Sequence, residues 1–350
     1  MAEENQKEKN DSLKFHFWFL VSFSLFLIVT FALYLPLRFE YKAFRDMGDP
    51  MMGDEHDDGA IGHDRNVYHE EGSVREGVSV NFNIVPVPVL TGASTQLDFF
   101  VNQKPGNIPV QAQELQLEHT KLMHVIGVRS DMNEFFHIHP QPTENAGFLS
   151  TNYIFAKPGL YKVWSEIKKD DTVHSFGHPE FSVRGVGAVS EKQFSFARNV
   201  IAGNYQVSLK MEEPVAKGHE HDLSFDIHTL TGQEVGVEDY LGAAMHLTII
   251  KEDWKQFIHT HPEGVDETIN FHVVFPEAGL YKMFAQFRPQ GADLPADKAV
   301  TVSFWVKVEE KAPIGVSSRW FLFIISAVFI LILSWVVARY LKVKPRGQSL

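Results

Sequence analysis

The chain has 350 residues, room for two domains of ordinary size, with a formal net charge of −12 and no cysteine. The lack of cysteine excludes disulfides, thiolate zinc sites, iron–sulfur clusters, a blue-copper centre and any cysteine nucleophile. The negative charge argues against nucleic acid as a partner, because phosphate binding needs a basic face.

In chain order, residues 1–14 are a polar N-terminus, expected in the cytoplasm, and residues 15–37 carry no formally charged side chain other than His16 if protonated. As a helix the second stretch reaches roughly 35 Å, long enough to cross a hydrocarbon core of about 30 Å. Leu35-Pro36-Leu37-Arg38-Phe39-Glu40 offers no small-x-small cleavage site, so an uncleaved anchor is expected rather than a signal peptide. Residues 38–77 read as an unstructured acidic tether containing Met47, Met51, Met52, His56, His63 and His69, either plainly solvated or a weak collector of metal.

Residues 78–184 and 203–308 are each rich in short alternating runs, such as Gln96–Val101, Met123–Val128, Leu223–Ile227 and Val300–Val308, broken by Gly, Pro, Asn and Asp. Each is expected to be an antiparallel β-sandwich, joined to the other by a connector at 185–202. A second uncharged run begins at Trp320, and 320–341 is the second expected transmembrane helix. Arg339 at the end of that run, with Lys342, Lys344 and Arg346 in 342–350, marks a basic cytoplasmic tail, which puts residues 38–319 outside the cytoplasm. The expected fold is thus an all-β ectodomain of two tandem Ig-like or cupredoxin-like sandwiches between two membrane helices.

One motif occurs twice. Met123-His124 is followed by His137-Ile138-His139-Pro140, and Met245-His246 by His259-Thr260-His261-Pro262. In both copies the second histidine stands thirteen positions after the first, from 124 to 137 and from 246 to 259. Gly159-Leu160-Tyr161-Lys162 and Gly279-Leu280-Tyr281-Lys282 follow, and matches at one offset of about 120 residues indicate internal duplication.

Two imidazoles two apart on a strand point to one face and can converge on an ion. A hairpin through Gly127–Asn133 would bring His124, and likewise His246, beside them. Imidazole suits copper, zinc, nickel or iron, and the thioethers of Met123 and Met245 would favour copper. Met and His are adjacent, however, so they share a site only at a bulge or turn. The competing reading is structural: each ring bonded to a backbone carbonyl, and each methionine filling the core. His174 with His178, and His219 with His221, are candidate accessory pairs.

Asp239-Tyr240-Leu241-Gly242-Ala243-Ala244-Met245-His246-Leu247, Phe257-Ile258-His259-Thr260-His261-Pro262 and Phe275-Pro276-Glu277-Ala278-Gly279-Leu280-Tyr281-Lys282 together resemble a family of bacterial secreted or membrane-anchored β-sandwich modules. Its members are described as copper-tolerance or heavy-metal-associated proteins. The second module departs from the pattern at Ala244, where a glycine is usual. The first is a looser copy, with Leu117-Glu118-His119-Thr120-Lys121-Leu122 in place of the Tyr-Leu-Gly phrase and Ser165-Glu166 in place of Ala285-Gln286. The resemblance implies His124, His137, His139, His246, His259 and His261 as ligands.

The expected function is extracytoplasmic metal binding at the bilayer surface, with copper first and zinc second, one ion per module, and a membrane transporter or sensor as protein partner. A non-metal sensing or scaffold ectodomain is the alternative. A metal-dependent enzyme stands third, because no hydrolase, P-loop or dinucleotide phrase occurs.

Overall fold

Duplication at the level of sequence becomes duplication of a two-sheet sandwich, seen in a computed structural model. It describes residues 65–310 apart from 188–190, 263–268 and 296, together with five positions between 327 and 335. The expected helix at 15–37 and most of that at 320–341 lie outside the described residues. Ala327, Ile330, Leu331, Ser334 and Trp335 are helical. Among the described residues no helix is long and apolar enough to cross a membrane.

The first sandwich contains β1 (Arg65–Glu70), β2 (Gly77–Val85), β3 (Val89–Leu90), β4 (Ser94–Lys104), β5 (Ile108–Pro109) and β6 (Met123–Arg129). It continues with β7 (Phe135–Ile138), β8 (Gln141–Pro142), β9 (Phe148–Ile154), β10 (Gly159–Lys169), β11 (Thr172–Gly177) and β12 (Phe181–Arg184). The second contains β13 (Asn199–Ala202), β14 (Tyr205–Met211), β15 (Val215–Ala216), β16 (Glu220–Thr229) and β17 (Val237–Glu238). It ends with β18 (His246–Lys251), β19 (Phe257–Thr260), β20 (Ile269–Val274), β21 (Gly279–Pro289) and β22 (Val300–Glu309).

Each sandwich has an outer sheet, β2-β4-β9-β8 with β5 or β13-β14-β16-β20, and an inner sheet built around β6, β7 and β10 or around β18, β19 and β21. Alternation along the strands fills two separate cores. Val80, Leu97, Phe99, Val125 and Val163 lie in the first, and Val207, Phe225, Leu247, Phe271 and Met283 in the second.

Among the described residues no sheet is shared between the sandwiches, yet they are not independent. The inner sheets carry apolar side chains on their second faces as well. Ile126, Val128, Met132 and Trp164 meet Ile250, Trp254, Phe257, Phe284 and Trp305 in a third cluster. Trp164 stacks on Phe257 with centroids 5.2 Å apart, and Phe135 on Phe284 at 4.4 Å. The fold is a stack of four β-layers. For that reason every residue of β6 is buried, whereas a strand at a wetted face would alternate.

Three expectations need correction. The tether expected over 38–77 ends in structure: β1 adds to the first sandwich parallel to β11, and Glu71 accepts from Asn81 Nδ2 and the Phe82 amide. The sheets are not purely antiparallel, since β1–β11, β3–β12 and β15–β22 pair in parallel. The connector expected over 185–202 already contains β13, which is paired to β14 from residue 199.

Candidate metal centre

The inner-sheet hairpins position the histidines. In β6 the residues alternate strictly: Met123 and Val125 enter the first core, while His124, Ile126 and Val128 face the other sandwich. Gly127 allows this hairpin to close, because a Cβ there would lie 2.1 Å from the Phe136 ring. On β7 the same alternation turns Phe136 inward and His137 outward, and Ile126 pairs with His137 across the ladder. β18 and β19 repeat the arrangement, with Thr248 opposite His259.

The expected site in each module is therefore a shared one. His124 and His137 of the first sandwich meet His246 and His259 of the second, with one nitrogen from each ring within 4.8 Å of every other. Ring centroids across the junction are 5.5 Å apart for His124–His259 and His137–His246, and 5.2 Å for His137–His259. His139 flanks the group, 4.7 Å from His137, and His261 lies 4.4 Å from His246.

Methionine ligation fails on strand geometry. Met123 and Met245 are fully buried within the cores of their own sandwiches, on the opposite strand face from the histidine beside each. Met123 pairs with Ile167 in unbroken register, and Met245 stands just before β18 with its side chain in the second core.

The partners of the outward-facing ring nitrogens decide which nitrogens face the centre. A backbone carbonyl can only accept, so His124 donates from Nε2 to the Glu118 carbonyl and His246 from Nε2 to the Tyr240 carbonyl, both at 2.8 Å. Each of these two rings is left with Nδ1 toward the cluster. His137 donates from Nδ1 to Gln286 Oε1 at 2.8 Å, and His259 from Nδ1 to the Glu166 carboxylate. These two rings offer Nε2. His124 Nδ1 and His137 Nε2 then face each other at 2.9 Å, both as lone pairs. Among the described residues, the buried Nε2 atoms of His139 and His259 have no hydrogen-bond partner.

Burial sets the protonation. It brings His124 down to about 4 and His139 to about 3, and holds His137, His246 and His261 well below the ordinary imidazole value, with neighbouring imidazoles adding to the effect. Neutral rings are the ligating form. Glu166 is a buried carboxylate that also accepts from Ser175 Oγ at 2.6 Å.

Two turns cap the cluster. Glu118–Lys121 and Tyr240–Ala243 close at matching positions, each with two left-handed residues: His119 and Thr120, then Leu241 and Gly242. Gly242 has a φ of 88°, in the region that favours glycine, and a Cβ there would lie 3.3 Å from Thr120 Cγ2, a tight contact. Glu118 is half-buried, which works to raise its carboxyl, but bonds from His119 and Lys168 hold it at about 2.

Of the accessory pairs, His174 contacts His69 at 3.3 Å, while His178 lies between Ser165 Oγ and the Glu71 carboxylate. His221 Nε2 is engaged by the Ala216 backbone. Glu166 and Gln286 were visible in the sequence only as a mismatch between copies. Their alternation with Trp164 and Phe284 on strands buried on both faces is the signal that could have found them.

Two stretches, 73–183 and 199–310, match the family described as "Domain of unknown function (DUF8832)". The chain belongs to that family. Its two DUF8832 units coincide with the two sandwiches, and the first begins after β1. No curated protein matches. Among solved structures, red sea bream transglutaminase is similar at 8% identity and a TM-score of 0.20, covering 66% of this chain and 31% of that one. Native E. coli alpha-2-macroglobulin is similar at 12% identity and a TM-score of 0.19, covering 67% of this chain and 17% of that one. The chain spans less than a third of either, and scores so low carry no argument.

Proposed function

We propose that this protein handles copper, holding one ion in a centre shared by its two sandwiches. The observation that carries the reading is the facing pair of His124 Nδ1 and His137 Nε2. Both nitrogens are lone-pair acceptors when the rings are neutral, and 2.9 Å apart they repel unless a cation lies between them. The orphaned Nε2 of His259 in the same cluster supports it. So does the way the outward N–H groups are tied to Glu118, Tyr240, Gln286 and Glu166, the usual arrangement behind ligating imidazoles. A cation also compensates the buried Glu166 carboxylate.

An all-imidazole set suits copper, zinc, nickel and iron, and copper(II) stands highest in the affinity order for such ligands. The residues that would hold it are His124, His137, His246 and His259, flanked by His139 and His261. Bound there, the ion would sit in a site closed by side chains on both sides, suited to storage or delivery. We read the sandwiches as Ig-like or cupredoxin-like. The uncharged runs at 15–37 and 320–338 support anchoring at the membrane, with the sandwiches outside the cytoplasm and a transporter or sensor as partner.

Copper(II) and zinc(II) titrations of the purified full chain, with elemental analysis, test this. One tight copper is expected in the inner centre, and His124→Ala in the first sandwich and His259→Ala in the second should each abolish it. Loss of only half the tight copper in either variant would mean separate sites. No tight copper in the unsubstituted chain would leave the histidines structural.

A further inference from the structure

The two capping turns match in backbone but not in chemistry. In the second sandwich the first left-handed position is Leu241, which offers no ligand. In the first it is His119, preceded by Glu118. The His119 ring lies over His261 of the other sandwich, with centroids 3.5 Å apart. Its Nε2 is 3.1 Å from Glu118 Oε1, while the other carboxylate oxygen of Glu118 is held by Lys168 at 3.0 Å. One donor atom from each of Glu118, His119 and His261 lies within 4.8 Å of the other two. All three residues are partly exposed, whereas His124, His246 and His259 of the inner group are buried.

We propose that Glu118, His119 and His261 form a second, outer metal site through which copper enters the inner centre. The inference rests on the metal reading of that centre. His261 is the shared element: its ring touches His119 on the open side, and its Nε2 is 2.8 Å from His246 Nδ1 on the closed side. An ion taken up by a carboxylate and two imidazoles at the surface can thus pass to an all-imidazole set without leaving its ligands all at once. The mixed oxygen and nitrogen donors make the outer site the weaker of the two, as a loading site must be. The device is one-sided. Leu241 closes the matching position on the other turn, so the entrance is set by the looser copy of the motif.

The test is a titration of the full chain with copper(II) chloride, followed by electron paramagnetic resonance for stoichiometry and by stopped-flow absorbance for the rate of inner-site filling. His119→Gly suits the left-handed φ of 44° at that position, and Glu118→Gln keeps the backbone carbonyl that His124 needs. The unsubstituted chain is expected to bind a tight and a weaker equivalent with distinct spectra. Both variants should lose the weaker one and fill the inner site more slowly, with the tight equivalent retained. A tight site that fills at the original rate, with the weaker equivalent still present in both variants, would overturn the entry site alone. Absence of any tight copper in the unsubstituted chain would overturn the inner centre and the entry site together.

Discussion

Glu166 of the first sandwich is bonded to His259 of the second, and the return contact, from His137 to Gln286, closes at 2.8 Å. Each sandwich thereby orients a histidine of the other. Only one of the two orienting groups carries a charge, so the centre is symmetric in position and unequal in electrostatics.

That inequality can be measured. A carboxylate behind a ligating imidazole raises its basicity, and loss of such a partner costs roughly 10–100-fold in metal affinity. Glu166→Gln is expected to weaken copper binding by that order, and Gln286→Glu to strengthen it. Competition with a chelator of known affinity reads both, and equal affinities in all three chains would show that the orienting contacts do not tune the site.

The methionines give a contrasting case. Met245 is fully buried in the second core, so Met245→Leu is close to volume-conserving and should cost less than about 1.5 kcal/mol. Copper stoichiometry and affinity should be unchanged in that variant. A marked loss of copper(I) affinity would restore the thioether as a ligand.

Coupling between the sandwiches rests on the third apolar cluster. Trp164 is completely buried and stacks on Phe257 across the junction. Trp164→Ala should destabilise the chain by about 3–5 kcal/mol in urea unfolding, as large-to-small changes of this kind do. Because the cluster also holds the histidine groups in register, copper affinity should fall in the same variant. Unfolding of the first sandwich alone, with the second and its copper unaffected, would argue against a joint unit.

Acid should loosen the metal-free protein. His124 sits at about 4 when folded against 6.5 for the free group, so the unfolded chain binds more protons between those values. Stability is complete above pH 6.5 and is lost as pH falls through 4. Urea midpoints should decline over that window in the metal-free chain and resist the decline with copper bound, since protons and copper compete for the same nitrogens. A flat profile in the metal-free chain would mean that the rings are not held neutral by folding.

Much of this was legible in the residues. Alternating apolar positions and a repeated phrase specify two β-sandwiches, because strand period and turn chemistry are local properties. The His-x-His spacing likewise puts His137 with His139, and His259 with His261, on one strand face. The same alternation excludes Met123 from that face, since its strand runs without a bulge, and burial in the second core keeps Met245 away from it.

What the sequence could not decide was the partner of each triplet. Nothing in a strand's own pattern says whether its second face meets water or another sheet, and β6 and β10 are covered on both sides only because the two inner sheets stack. That packing brings His124 to His259 over 135 positions of chain and delivers Glu166 to His259, contacts whose sequence separation leaves no local trace. Tertiary structure turned two groups of histidines into one.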